Sequence, residues 1–350
     1  MKQDSQHIVV DLNNILTDSR GMGRYVRTVL RLMIQRHPEV RWTAMTRIFP
    51  AWRVEKRLRT LVGHPSLTVA NRVPNDAHVM WHPWNSPVFP PPLRNVVTMH
   101  DAVPFVYPPQ SARAIRREQE PFRLATRVAN RILTVSHFAK GEIHRWLGYP
   151  LEQITVSPLG VEAHFVPGAA QLPDKVHDYL QGRPYILTFG APDARKNLET
   201  LYRAWCLAYP GQEVALVGTG FDLQTTPGVL HLERTHDDAL LLQLYRGAEI
   251  LAYPSVYEGF GLPVIEAMAA GAPVIAVRGS SVAEVGGDAA FWVAASEATD
   301  PHVWAAALRR LHEESGLRRE LSVLGLAQAR HFTWEATART TFAALSSVAV

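Results

Sequence analysis

Short apolar runs of four to six residues alternate with stretches of helical periodicity along most of the chain. In the first half the runs are I-V-V-D-L (8–12), W-T-A-M-T (42–46), H-V-M-W (78–81), V-V-T-M-H (96–100), I-L-T-V-S (132–136) and I-T-V-S (154–157). Amphipathic spacing between them predicts helices over 24–35, 112–129 and 138–147. The pattern then restarts: Y-I-L-T-F-G (185–190), V-A-L-V-G (214–218), V-L-H-L-E (229–233), I-L-A-Y-P (250–254) and V-I-A-V (274–277), with helices predicted over 197–208, 237–247 and 263–270. A last helical stretch starts at Trp334. Strands this apolar, separated by helices, belong to parallel sheets covered on both faces.

Residues 166–184, rich in Pro, Gly and polar side chains, separate the two series and read as a linker. A length of 350 residues also exceeds the ~250–300 that one core usually reaches. The expectation is an α/β protein of two doubly wound domains, 1–170 and 171–333, followed by a terminal helix in 334–350. Such domains bind ligands at the carboxyl ends of their strands, and a cleft shared by two of them is the natural site.

Charge sharpens the division. The net charge is +4, yet residues 1–170 hold 22 Lys and Arg against 12 Asp and Glu, a surplus of +10, while residues 171–350 carry −6. A basic first half suits an anionic partner. The interleaved aromatic and basic motifs of nucleic-acid modules are missing, so nucleic acid is not expected. A phosphate-bearing substrate or an anionic membrane face fits. The arginines of the predicted helix at 112–129 (Arg113, Arg116, Arg117, Arg123, Arg127), with Arg131, form either a membrane contact or a solvated face. No run is long enough to span a bilayer, and no apolar leader precedes the first strand, so a soluble, cytoplasmic protein is expected. The single cysteine, Cys206, permits no disulfide and is expected to be a small buried hydrophobe on a helix. The histidines lack metal-ligand spacing and no D-x-D pair occurs, so no metal site is expected.

The most informative stretch is E-G-F-G-L-P-V-I-E-A-M-A-A-G (258–271). Pro263 suits the first position of a helix and Gly271 its end, which would put Glu266 in the first turn and Glu258 on the loop before it. Free N–H groups at a helix start attract an anion. Two carboxylates beside that cradle instead suit the hydroxyls of a ligand carrying both phosphate and sugar. Arg195 and Lys196 follow the strand ending at Gly190, where a helix begins; two cations there oppose the macrodipole, and a diphosphate between them would resolve the conflict. Gly21 and Gly23 open a helix after the first strand, either as a plain turn or as a close approach to phosphate. They do not complete a dinucleotide fingerprint, because Val26 stands at the third glycine position. Gly218 and Gly220 follow another strand. His100 and Asp101 end a strand, either as a base oriented by its neighbour or as the start of a turn. Ser280 and Ser281 cap a helix or touch ligand. Trp81, Trp84 and the run 89–92 read as packing and a rigid loop rather than a sugar platform.

Together these residues resemble the family-four retaining glycosyltransferases of the two-Rossmann-domain type called GT-B, and within them the mannosyltransferase-like branch that builds bacterial polysaccharides. The blocks are G-M-G-R-Y (21–25), H-D-A-V-P (100–104), L-T-V-S-H-F (133–138), S-P-L-G-V (157–161), R-K-N-L (195–198), L-Y-R-G-A (244–248), the stretch 253–276 around the two glutamates, and F-T-W-E-A-T-A (332–338). The resemblance implies two Rossmann-like domains facing a cleft, with the last helix crossing back to the first domain. It implies a nucleoside diphosphate (NDP) sugar as co-substrate, without cofactor or metal, and a glycan or lipid-linked acceptor.

Residue by residue, Glu266 would bind the ribose hydroxyls. Glu258 and the N–H groups of Phe260, Gly261 and Leu262 would hold sugar and phosphate, and Arg195 and Lys196 the diphosphate. Gly21, Gly23, Gly190 and Gly218 would lie against the donor, His100 against the transferred sugar, and Asp101 and Tyr25 on the acceptor side. GDP-mannose is the first donor expected, with UDP- and dTDP-sugars as alternatives. Glu233 and Arg234 depart from the family pattern near the expected base. Two rival classes are a nicotinamide oxidoreductase, which would need the missing glycine, and a non-catalytic protein bound to the inner membrane face.

Overall fold

The computed structural model describes residues 6–18, 21–47, 49–85, 87, 93–220, 226–233 and 237–349. The chain forms two compact units: Met1–Gly160 together with Thr333–Val350, and Val161–Phe332.

The first unit is built on seven parallel strands: β1 (His7–Asp11), β2 (Arg41–Met45), β3 (Thr68–Ala70), β4 (Val79–His82), β5 (Arg94–Thr98), β6 (Arg131–Thr134) and β7 (Ile154–Val156). Their order is β3-β2-β1-β4-β5-β6-β7. The second unit holds six parallel strands: β8 (Tyr185–Thr188), β9 (Ala215–Gly218), β10 (Val229–His231), β11 (Ile250–Tyr253), β12 (Val274–Arg278) and β13 (Phe291–Ala294), ordered β10-β9-β8-β11-β12-β13. In each sheet the order reverses between the first and fourth strands. That switch point opens a crevice at the carboxyl ends, where doubly wound folds bind ligands.

Burial explains the composition of the strands. Residues Ile8, Val9 and Val10 of β1 and Ile186 and Leu187 of β8 have no exposed surface, since helices cover both sheet faces. Three tryptophans fill the interior with their N–H groups satisfied: Trp81 donates to Thr98 Oγ1 (2.9 Å), Trp205 to Val214 O (2.8 Å) and Trp304 to Ala298 O (2.9 Å). Side-chain caps start several helices. Ser111 accepts from Ala114 N, Ser136 from Ala139 N and Thr333 from Ala336 N, each cap worth about 1 kcal/mol.

The alternating pattern therefore gives the expected doubly wound α/β architecture. The helix Trp334–Val348 packs in the first unit, where Ser157 Oγ donates to Thr337 O (3.2 Å) and Tyr25 meets Trp334 (ring centroids 6.4 Å apart). Residues 161–170 pack in the second, with Val161 N bonded to Phe332 O and Arg246 Nε to Val166 O. Several elements escaped the apolar pattern. β3 is a three-residue edge strand and β13 a half-buried one, so neither reads as a continuous apolar run. The supposed linker contains the helix Asp174–Leu180, which buries only Val176 and Leu180. The helix Ala51–Val62 hides its stripe of Val54, Leu58 and Val62 among basic residues. Cys206 is exposed on the helix Leu198–Ala208, whose buried face is taken by Leu198, Leu201, Ala204, Trp205 and Ala208, contrary to the expectation that it is buried.

Candidate functional site

At the switch point of the second unit, β8 leads through Gly190 into a short 3-10 turn, Ala194–Lys196, and then into the helix Leu198–Ala208. β11 leads through residues 254–261 into the helix Leu262–Ala269. The two loops are fastened together: the carbonyl of Arg195 accepts from Val256 N (2.9 Å) and Ser255 Oγ (3.2 Å). This brings Arg195, Lys196 and Glu258 together. Lys196 Nζ pairs with Glu258 Oε1, and Arg195 Nη1 with Glu258 Oε2 at 3.3 Å. Tyr253 O–H donates to Glu258 Oε1 (2.9 Å), and Arg195 Nε binds Asp193 Oδ2 (2.8 Å).

The cations therefore have internal partners. Instead of sitting on a bare helix start, they lie on the preceding turn, neutralised by Glu258 and Asp193. Desolvation by burial raises the Glu258 pKa, but Lys196 and Arg195 outweigh it and hold the carboxyl below its ordinary range. Burial, reinforced by that carboxylate, drives the Tyr253 hydroxyl well above 10. Tyr253 is thus a permanent donor here. Neither Asp193 nor Tyr253 stands out in the sequence: Asp193 caps the 3-10 turn two residues before Arg195, and Tyr253 ends β11 five before Glu258.

Beyond Glu258 the turn is held from behind. Ser281 O–H is shared between the carbonyls of Glu258 (2.7 Å) and Phe260 (3.0 Å), and Ser281 is fully buried. Gly261 (φ +108°) makes the bend into the helix. Among the described residues, the N–H groups of Phe260, Gly261 and Leu262 meet no acceptor. Pro263 falls at the second helical position, so Glu266 lies just past the first turn rather than in it. Glu266 is 6% exposed, and its Oε2 accepts from Tyr245 O–H at 3.0 Å. Tyr245 is itself fixed edge-on by Phe165 and Phe189.

Two of the remaining second-unit glycines, Gly190 and Gly220, make close contacts within the chain. A Cβ on Gly220 would lie 2.5 Å from the Gly190 carbonyl carbon, and Gly190 N donates to Thr219 Oγ1 (3.2 Å). Gly218 is the last residue of β9, aligned with Thr188 and His231. Glu233 follows β10, while Arg234 lies outside the described residues.

In the first unit, Gly21 and Gly23 open the helix Gly21–Arg36, and a Cβ on Gly23 would stand 1.9 Å from the Asp18 carbonyl oxygen. That contact alone demands glycine at position 23. Tyr25 points into the interior, 1% exposed, its hydroxyl 3.2 Å from Thr98 Oγ1 and raised to about 12 by burial. Trp81 and Trp84 are buried as well, and residues 89–92 lie outside the described residues. Asp101 does not orient His100: its Oδ1 accepts from Val103 N (3.1 Å), starting a turn, while the His100 ring Nε2 faces the Pro83 carbonyl at 3.4 Å.

Burial lowers His100 to about 4, so the ring is neutral at pH 7. The sign follows by linkage. Unfolded His100 protonates near 6.5 and folded His100 near 4, so its contribution to stability is full above pH 6.5 and lost as the pH falls toward 4; that gap is worth ~3 kcal/mol. Chemical denaturation of the His100→Gln protein between pH 7 and 4 should show a correspondingly flatter profile. An unchanged slope would mean that His100 is not buried in its neutral form.

Arg113, Arg116, Arg117, Arg123 and Arg127 are exposed along one stripe of the helix Ala112–Val128. Arg127 pairs with Glu120 and Arg117 with Glu118. Among the described residues no helix is long and apolar enough to cross a membrane, and no cluster of three potential metal ligands occurs.

Known proteins with similar sequences and folds place the chain in a family. Residues 183–314 match the family described as Glycosyl transferases group 1. O-antigen chain mannosyltransferase B of Escherichia coli is 30% identical over 259 residues, spanning 69% of this chain and 67% of that protein. D-inositol 3-phosphate glycosyltransferase of Corynebacterium diphtheriae is 34% identical over 134 residues, which span 37% of this chain and only 31% of that protein. Among solved structures, a glycosyltransferase from Rickettsia africae superposes with a TM-score of 0.69 at 12% identity, covering 99% of both chains. Anabaena HepE in complex with UDP and glucose gives 0.69 at 15% identity, covering 98% of this chain and 100% of that one.

Proposed function

Because the chain belongs to the group 1 glycosyl transferases and is a glycosyltransferase of the GT-B fold, we propose that it moves mannose from GDP-mannose to a glycan or lipid-linked acceptor with retention of configuration. The observation that carries this reading is the meeting of Arg195, Lys196 and three unoccupied backbone N–H groups at the second unit's switch point. Fixed cations and dipoles aimed at a departing diphosphate are the largest single source of catalysis available to such a site. Glu266, oriented by Tyr245, is the ligand for the ribose hydroxyls. His100 accepts a hydroxyl of the transferred sugar. No cofactor or metal takes part. The chain works in the cytoplasm.

In the step itself, the bond from the anomeric carbon to the phosphate oxygen breaks as the acceptor oxygen bonds to that carbon on the same face. The acceptor proton passes to the departing phosphate oxygen, so no protein base is required. Glu258, engaged by Lys196, Arg195 and Tyr253, serves as a hydrogen-bonding carboxylate rather than as a nucleophile; a trapped covalent glycosyl adduct on Glu258 would overturn this. Mannose is favoured by the 30% identity to the E. coli enzyme named for it. A panel of GDP-, UDP- and dTDP-sugars, read by release of nucleoside diphosphate, tests the donor. Turnover of a UDP-sugar with none of GDP-mannose would replace the donor and leave the class standing.

The exposed arginine stripe supports an acceptor presented at an anionic lipid surface, each basic side chain near such a surface adding about 1 kcal/mol. The protein should float with vesicles containing phosphatidylserine and not with neutral ones. The Arg116→Glu/Arg117→Glu protein should lose that flotation, and equal flotation of both proteins removes the membrane from the proposal.

A further inference from the structure

Asp11 closes β1 and His82 closes β4, side by side where the first sheet reverses its order, and neither has any exposed surface. Burial of two such groups is costly unless each is partnered. Oδ1 of Asp11 accepts from Asn13 N (3.1 Å) and Asn13 Nδ2 (2.6 Å), and Oδ2 faces His82 Nδ1 at 3.4 Å. On the far side of the ring, His82 Nε2 lies 2.9 Å from Asn95 Oδ1. The amide cannot be turned around, because Asn95 Nδ2 donates to Leu93 O at 2.7 Å. His82 thus stands between two oxygen acceptors. One proton shared with Asp11 on the Nδ1 side and an Nε2–H directed at Asn95 satisfy both contacts and lock the ring in place.

This pair grips the loop that touches His100. His82 precedes Pro83, and Trp84, which follows it, donates from Nε1 to the Asp11 carbonyl (2.9 Å). Pro83 is therefore held from both sides, and its carbonyl faces His100 Nε2 (3.4 Å); Asn85 Oδ1 accepts from His100 N (2.7 Å). A carbonyl only accepts, so Nε2 carries the hydrogen and the neutral ring keeps a bare Nδ1. A buried polar pair adds little to stability that an apolar pair would not, so its presence at the carboxyl ends of the strands, where ligands bind, calls for another role.

We propose that Asp11 and His82 are positioning residues: with Trp84 they fix the Pro83 carbonyl and so hold His100 as the Nε2–H tautomer, with Nδ1 as the acceptor for a substrate hydroxyl. The functional half of this rests on the assignment of His100 to the sugar; the tautomer does not.

The test is nitrogen-15 NMR of the full chain labelled at histidine, at pH 7, on wild type, Asp11→Asn and Trp84→Phe, with turnover measured alongside. Trp84→Phe keeps the ring and removes only the N–H donor, so it reports even where Asp11→Asn fails to fold. The expected wild-type spectrum shows His100 protonated at Nε2 alone. In the variants His100 becomes a mixture of tautomers, and kcat falls at least about tenfold while KM for the donor changes less, since a contact to the transferred sugar counts most as that sugar leaves. A wild-type His100 protonated at Nδ1, or a His100 tautomer unchanged from wild type in both variants, overturns the proposal. A changed tautomer with unchanged turnover upholds the positioning and removes His100 from the sugar site instead.

Discussion

The Lys196→Ala protein should turn over ~10²–10³-fold more slowly than wild type at saturating donor, the loss seen when one preorganised charge donor is removed from a developing anion. Lys196 is the point charge of the cluster and Arg195 the fork, so the two are not equivalent. Lys196→Arg should recover part of the rate, because charge is kept while its position changes. The effect belongs in kcat more than in KM, as the diphosphate becomes most negative when the sugar leaves. Release of nucleoside diphosphate under single-turnover conditions is the measurement. A kcat within about twofold of wild type would exclude Lys196 from leaving-group stabilisation.

The second large effect concerns stability. Glu258→Gln leaves two desolvated cations with one fewer carboxylate, and removing one partner of a buried pair typically costs 3–5 kcal/mol. The lower end, about 3 kcal/mol, is expected because Asp193 still pairs with Arg195. Added GDP or UDP should then raise the melting temperature of the variant more than that of wild type, since a bound diphosphate supplies the missing negative charge. The pH dependence follows from the same pair. With its folded pKa below the ordinary 4.5, Glu258 contributes stability that is complete above about pH 4.5 and is lost as the pH falls through the folded value. That acid limb should be missing in Glu258→Gln. Equal melting of variant and wild type without nucleotide would show that the cluster is solvated and its charges independent.

Much of the fold could be read from the chain because parallel strands are buried on both faces. The middles of β1 and β8 and all of β11 are apolar without interruption, and the helices between them carry one clear stripe each. β3 and β13 at sheet edges lack that signature, and the helix Asp174–Leu180 is too short to show a period. At the site, spacing revealed Glu258 and Glu266 because both belong to one turn and helix. It could not reveal what lies across space. Tyr245 reaches Glu266 from 21 residues away, and Arg195 meets Glu258 across 63. The expected conflict between two cations and a helix start does not arise, because Arg195 and Lys196 lie on the turn before the helix and pair with Glu258 and Asp193. The carbonyl facing Gly23 and the burial of Tyr25 likewise lie across space, where no local pattern reveals them.

Ser281 shows how a group that need touch no ligand can set the polarity of a binding surface. In a trans peptide the carbonyl and the N–H point in opposite directions. When Ser281 draws the Phe260 carbonyl toward itself, the N–H of Gly261, in the same peptide plane, is turned the other way. The positive face of the turn is therefore a mechanical consequence of where its negative face is tied. A peptide flip after Ser281→Ala would present a carbonyl oxygen where an anion is to be received, reversing the sign of the potential there without altering one residue of the turn.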